Sequence, residues 1–185
     1  MDARAVVRIA PHGRLVEPWR QTVRGGTRED RTLGEVTTWL PSEIADLELS
    51  EARLWIAMVQ LEVGNRLAAA PGSKTYGATS VLAQLACEVK VLRRISPKVF
   101  HPVPNVESAL VRLTRVAPPV EPGLVELVHA AFAHRRKALP RSLALTGWDR
   151  DRARAALVEI GHAADARAET LAPDDFRRLA AILAL

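Results

Sequence analysis

Four cations in one short stretch, Arg135, Arg136, Lys137 and Arg141, are the residues of this chain best placed to do chemistry. They follow Leu124, Leu127, Val128, Ala131 and Phe132, which share one face at helical spacing. A helix whose apolar stripe ends in consecutive cations presents a dense positive edge. Such an edge suits positioning a nucleic-acid backbone rather than reading bases. A solvated face is the plainer reading of any charge run. Lys74 and Tyr76 stand on a polar loop, in reach of a backbone phosphate or simply of water. The other reactive side chains assemble nothing. His129, His134 and His162 lack metal-ligand spacing with cysteine or acids, so no metal is expected. Cys87, the single cysteine, sits in apolar Leu85-Ala86-Cys87 and reads as a buried structural thiol. Glu62, Asp149 and Asp174 stand at helix starts, where carboxylates complement the dipole or cap the first turn.

The elements that must position these residues divide the chain in three. Residues 1–50 hold no helical or strand periodicity for long, because arginine, glycine and proline punctuate them. The expectation there is a poorly ordered segment with a short helix around Ser42–Leu49. Residues 51–117 read as part of an α/β sheet. Leu54-Trp55-Ile56-Ala57-Met58-Val59 has the continuous apolar run of a strand buried in a largely parallel sheet. Glu62 to Ala70 is a helix stopped by Pro71-Gly72, and Val81, Leu82, Leu85 and Ala86 share a face of a second helix. Glu88 to Val91 and Ser108 to Thr114 alternate as half-buried strands. Residues 118–185 begin with the linker Pro118 to Gly123 and then read as all-helical. One helix ends at the cation cluster, one follows Asp149, and one starts near Pro173 with Phe176, Leu179, Ile182 and Leu183 buried. So few helices bury little by themselves, and this part should lean on the sheet.

At 185 residues and 48% hydrophobic, the chain can bury a sizeable core. A net charge of +5 and a pI near 10.1 favour polyanionic partners, because phosphate contacts release counterions. The excess of arginine over lysine also fits a gene rich in G and C, which dilutes that signal. No apolar run is long enough to span a bilayer and no secretion signal is evident, so a cytoplasmic chain without a membrane partner is expected.

Three blocks carry a resemblance. They are Met58-Val59-Gln60-Leu61-Glu62-Val63 with Pro71-Gly72-Ser73-Lys74-Thr75-Tyr76-Gly77, then Val99-Phe100-His101-Pro102-Val103-Pro104-Asn105-Val106-Glu107-Ser108, then Phe132-Ala133-His134-Arg135-Arg136-Lys137-Ala138-Leu139. In this order they resemble the C-terminal part of the small-subunit ribosomal RNA adenine dimethyltransferases (the KsgA/RsmA type), over about residues 54–185. The third block is closer to these enzymes than to the macrolide-resistance rRNA methylases that share the sheet.

The resemblance implies a partial Rossmann-like methyltransferase sheet followed by a small all-α C-terminal domain. It also implies transfer of methyl groups from S-adenosylmethionine to adjacent adenines of small-subunit rRNA, on the immature small ribosomal subunit. The exocyclic amine of adenine is a weak nucleophile, because its lone pair is delocalised into the ring. The base must therefore be unstacked, held against a flat side chain and aligned with the methyl donor. Phe100 falls where relatives carry an aromatic pair, which implies stacking of the target base; a core phenylalanine stiffening the proline loop is the alternative.

Three departures matter. His101 replaces the family's usual aromatic residue. Pro140 stands where relatives have a helix-compatible polar residue, and should end or kink the helix. The glycine-rich cofactor turn and the Asn-Leu-Pro-aromatic loop do not occur: Gly25-Gly26 lacks a third glycine and a preceding strand, and Trp39-Leu40-Pro41 is only a fragment of the loop. Catalytic and cofactor-binding residues are thus not identifiable. The expected chain is a family member interrupted upstream of about Leu54, or a non-catalytic rRNA-binding protein. A half-sheet with an open, aggregation-prone edge is a third reading.

Overall fold

A computed structural model describes residues 53–118 and 120–183. The expectations for residues 1–50 lie outside them. Three strands form one sheet in the order β1-β3-β2: β1 is Leu54–Gln60, β2 is Cys87–Ile95 and β3 is Ser108–Arg115. Both outer strands run antiparallel to β3. The parallel surroundings expected of β1 are therefore not found among the described residues, where it pairs with β3 alone. Its apolar run reflects two half-buried faces, with Trp55 its one buried residue.

One face of the sheet carries the rows Trp55-Leu113-Val89 and Ala57-Val111-Val91. These residues join the main hydrophobic core, which explains the period of two in β2 and β3. Leu92 is an extra residue in β2, where the register shifts between Val91 and Arg93, and it is 42% exposed. Helix α1 (Leu61–Leu67) lies close on this face. A side chain at Gly64 would meet Val111 Cγ2 at 3.0 Å and Ala109 Cβ at 3.1 Å, so glycine sets the approach. The helix is shorter than Glu62–Ala70, and the chain then turns at Gly72, whose φ of +79° suits glycine.

Helix α2 (Ala78–Ala86) buries Val81, Leu82, Leu85 and Ala86 as its spacing predicts. Buried Ser80 Oγ accepts from Gly77 N at 3.1 Å and donates to the Arg66 carbonyl at 2.5 Å, which locks α2 to α1. Four helices follow β3: α3 (Pro122–Ala133), α4 (Leu139–Leu145), α5 (Arg150–Glu159) and α6 (Pro173–Leu183). In α5, Asp149 caps the first turn by accepting from Arg152 N at 2.8 Å. On α6, Phe176, Leu179 and Leu183 are buried, while Ile182 is only partly so. The helices share one core with the sheet. Phe132 of α3 packs edge-on to Tyr76 (centroids 6.2 Å apart) and stacks with Phe176 of α6 (5.9 Å), while Arg177 donates to the Leu85 carbonyl. This is the expected leaning of helices on the α/β part.

Candidate nucleic-acid interface

Three of the four clustered cations are not on a helix, and Arg141 lies in the next one, α4. Helix α3 ends at Ala133, and Arg135, Arg136 and Lys137 occupy the turn into α4. Hydrogen bonds from both sides fix this turn. The fully buried Ser142 hydroxyl accepts from His134 N at 3.2 Å and donates to the Ala130 carbonyl at 2.7 Å, joining the end of α3 to α4. Leu139 N donates to the Ala166 carbonyl at 2.8 Å, which holds the start of α4 against the segment after α5. Pro140 neither ends nor kinks a helix; it stands in the first turn of α4. There its missing N–H would have had no intrahelical partner anyway.

The predicted residues separate at this turn. Arg135 faces backwards. Its Nε donates to Glu169 Oε2 at 3.2 Å and its Nη2 to the Lys74 carbonyl at 2.9 Å. Gly72 N adds a 2.7 Å bond to the Glu169 carbonyl, so Arg135 braces the Lys74 loop against residues 168–170. Two of its donors are thus engaged inside the protein, while its side chain stays 43% exposed. Tyr76 needs a larger correction. It is 0% exposed, its hydroxyl donates to the Leu171 carbonyl at 2.8 Å, and it is a core residue that cannot reach phosphate. Burial first, and the charge of Asp175 second, push its phenol well above the usual range. Lys74 is exposed, with its carbonyl engaged by Arg135.

On the other side of the turn, Arg136, Lys137 and Arg141 line an open cleft of about 400 Å³. Arg150 and Arg154 of α5 line it too, and Asp165 is its single acid. None of the five cations forms an ion pair among the described residues. The sequence reading missed Arg150 and Arg154. Their spacing of four puts them one turn apart on one helix face, a signal visible in the sequence but not pointing at the cluster.

Phe100 lies elsewhere, just past the short 3-10 turn Pro97–Val99 between β2 and β3, and does not line the cleft. It is half-buried and outside the main core, among exposed Val99, Val103 and Val106, so the core-phenylalanine alternative does not hold. Cys87 is buried, and burial raises its thiol pKa against a lowering by Arg115. It stays protonated and inert, as read. His162 is held by Asp175 at 2.9 Å. Among the described residues no group of three or more His, Cys, Asp or Glu could hold a metal ion, and no helix is long and apolar enough to cross a membrane.

The described residues do not fit a nucleotide-type cofactor. β1 runs straight into α1, β2 into a serine-capped 3-10 turn, and β3 into Val116-Ala117-Pro118. Among the described residues no strand is followed by a glycine-rich turn whose amides could cradle one.

Comparison with known proteins accounts for this partial architecture. The family model for ribosomal RNA adenine dimethylase matches residues 32–185, beginning upstream of the expected limit at Leu54. The ribosomal RNA small subunit methyltransferase A of Rubrobacter xylanophilus is 54% identical over 121 residues, 64% of this chain and 45% of that protein. Its counterpart in Streptomyces coelicolor is 45% identical over 130 residues, 68% of this chain and 46% of that protein. The chain thus spans about half the length of these relatives. Among solved structures, a dimethyladenosine transferase from Plasmodium falciparum superposes with a TM-score of 0.59 at 19% identity, over 73% of this chain and 58% of that one. The 23S rRNA methyltransferase ErmE gives 0.54 at 26%, over 78% and 61%. These likenesses identify the three strands as part of a Rossmann-like methyltransferase sheet, and the chain belongs to the ribosomal RNA adenine dimethylase family.

Proposed function

We propose that residues 53–183 hold small-subunit ribosomal RNA by its phosphate backbone, as the substrate-docking part of an adenine N6-dimethyltransferase acting on immature small subunits in the cytoplasm. The observation that carries this reading is the cleft beside the α3–α4 turn, where Arg136, Lys137 and Arg141 converge with no ion pair among the described residues and Asp165 as the one acid in the lining. Guanidinium and ammonium groups so placed fix the register of a backbone without selecting a sequence. Lys74, exposed on the neighbouring loop, extends the basic surface. Phe100, half-exposed between the strands, offers a ring against which an unstacked adenine can rest. S-adenosylmethionine would supply the methyl group. No described residue is assigned to it, and the chemistry of these residues is confined to placing the base.

The test is binding of the full chain to transcribed small-subunit rRNA across a range of salt. Affinity should fall steeply with salt. The R136A/K137A/R141A variant should bind more weakly, with a flatter dependence of log affinity on log salt, by roughly 0.7–0.9 for each phosphate no longer neutralised. Unchanged binding would overturn the proposal. A second reading, a non-catalytic rRNA-binding protein, is favoured by the missing cofactor cradle among the described strands. Calorimetric titration with S-adenosylmethionine separates the two: heat of binding selects the methyltransferase, and its absence selects the non-catalytic protein.

A further inference from the structure

Helix α5 brings Arg150 and Arg154 to the lining of the cleft beside the α3–α4 turn. As a fold-forming choice this arrangement is poor on three counts. Arg150 is the first residue of α5, where the helix dipole disfavours a cation. Arg150 and Arg154 are one turn apart, where like charges repel. Both also share a small cleft with Arg136, Lys137 and Arg141, with Asp165 as the one acid in the lining to offset five positive groups. The acids near them do not pair with them among the described residues: Asp149 caps α5, and Asp151, one residue from Arg150 and three from Arg154, forms no ion pair with either. Charges placed at a local energetic disadvantage, and left without partners, are relieved by a polyanion bound between them.

We infer that Arg150 and Arg154 form the second jaw of a phosphodiester clamp, so that one stretch of RNA backbone is gripped from both the α3–α4 turn and α5. This rests on the RNA-docking reading above and adds residues that neither the sequence motifs nor the family resemblance point to. Two jaws change the kind of recognition. A single basic ridge takes any duplex, whereas a cleft takes a backbone segment that protrudes into it, as at a bulge or tight turn. Asp165 at the cleft then acts as a brake on affinity.

Three variants of the full chain test the clamp on transcribed small-subunit rRNA. R150Q/R154Q should weaken binding about tenfold and flatten the salt dependence by an amount matching one to two phosphates left without a cation. D165N should tighten binding severalfold, which a merely structural role would not produce. R136Q/K137Q/R141Q reports on the other jaw. If R150Q/R154Q and D165N bind like the wild type while R136Q/K137Q/R141Q is weakened, the clamp is wrong and the docking reading survives. If all three bind like the wild type, both fail. Weaker binding by R150Q/R154Q with the salt dependence unchanged, or with a lowered unfolding temperature, points to altered folding and also overturns the clamp.

Discussion

The two sides of the α3–α4 turn use the same kind of residue for opposite purposes. On one side Arg135 is satisfied by Glu169 and the Lys74 carbonyl, above a core in which Tyr76, Phe132 and Phe176 stack and bond. On the other, five cations share a cleft with one carboxylate and have no ion pairs among the described residues. Adjacent arginines, 135 and 136, thus differ in whether the protein itself completes their bonding. Where it does, substitution should change stability and leave RNA affinity alone. Where it does not, the reverse should hold.

The largest effect should fall at the base of the paired side. Tyr76→Ala removes a fully buried ring from the aromatic trio and leaves the Leu171 carbonyl without its donor. A loss of about 3–5 kcal/mol is expected from denaturant unfolding, enough to unfold many domains of this size. Tyr76→Phe keeps the ring and loses only the hydrogen bond, for about 1–2 kcal/mol. The folded Tyr76→Phe protein should bind rRNA as the wild type does. Weakened binding with an intact fold would restore Tyr76 to the interface and erase the contrast.

How much of this was legible follows the range of the interactions. The stripe of α2, the alternation of β2 and β3 and the buried face of α6 are local periodicities, and each stands where its spacing put it, save that Ile182 of α6 is only partly buried. Tyr76 was not legible, because its neighbours Ser73, Lys74 and Thr75 are polar and its partner Leu171 lies 95 residues away. The ending of α3 before the cations was hidden too. No glycine marks it, and Ser142, eight residues beyond His134, supplies the capping hydroxyl. An apolar stripe that runs on into the cations makes Pro140 read as a breaker and hides α4, although a proline in the first turn of a new helix suits the same residue. Arg150 and Arg154 carried no motif. Only the packing of α5 beside α4 brings them to the cluster.

A middle-sized effect should separate the adjacent arginines directly. Arg135→Ala removes two charge-assisted hydrogen bonds that hold the Lys74 loop to residues 168–170. Its side chain is 43% exposed, so solvent screening reduces the cost to about 1 kcal/mol. Arg136→Ala touches no internal partner among the described residues and should be within about 0.5 kcal/mol of the wild type. In rRNA binding the order inverts, with Arg136→Ala the weaker binder. Two variants that lose stability and affinity in the same proportion would show that the turn is one unit rather than two.

The smallest effect has the most telling sign. Arg150→Ala should raise stability, because it removes a cation from the start of α5 and from the field of Arg154. Each contribution is a few tenths of a kcal/mol at low ionic strength, so a gain of about 0.5 kcal/mol is expected. It should fade by about 1 M salt, where the screening length falls to roughly 3 Å. With saturating rRNA the ranking should cross. A ligand stabilises the folded state in proportion to the logarithm of its occupancy term, and the wild type, with both jaws intact, gains more than the variant. Unfolding temperatures of the two proteins, with and without rRNA and at two salt concentrations, measure all of this at once. If Arg150→Ala is less stable than the wild type in every condition, Arg150 serves the fold, and the cleft is no longer the open side of the comparison.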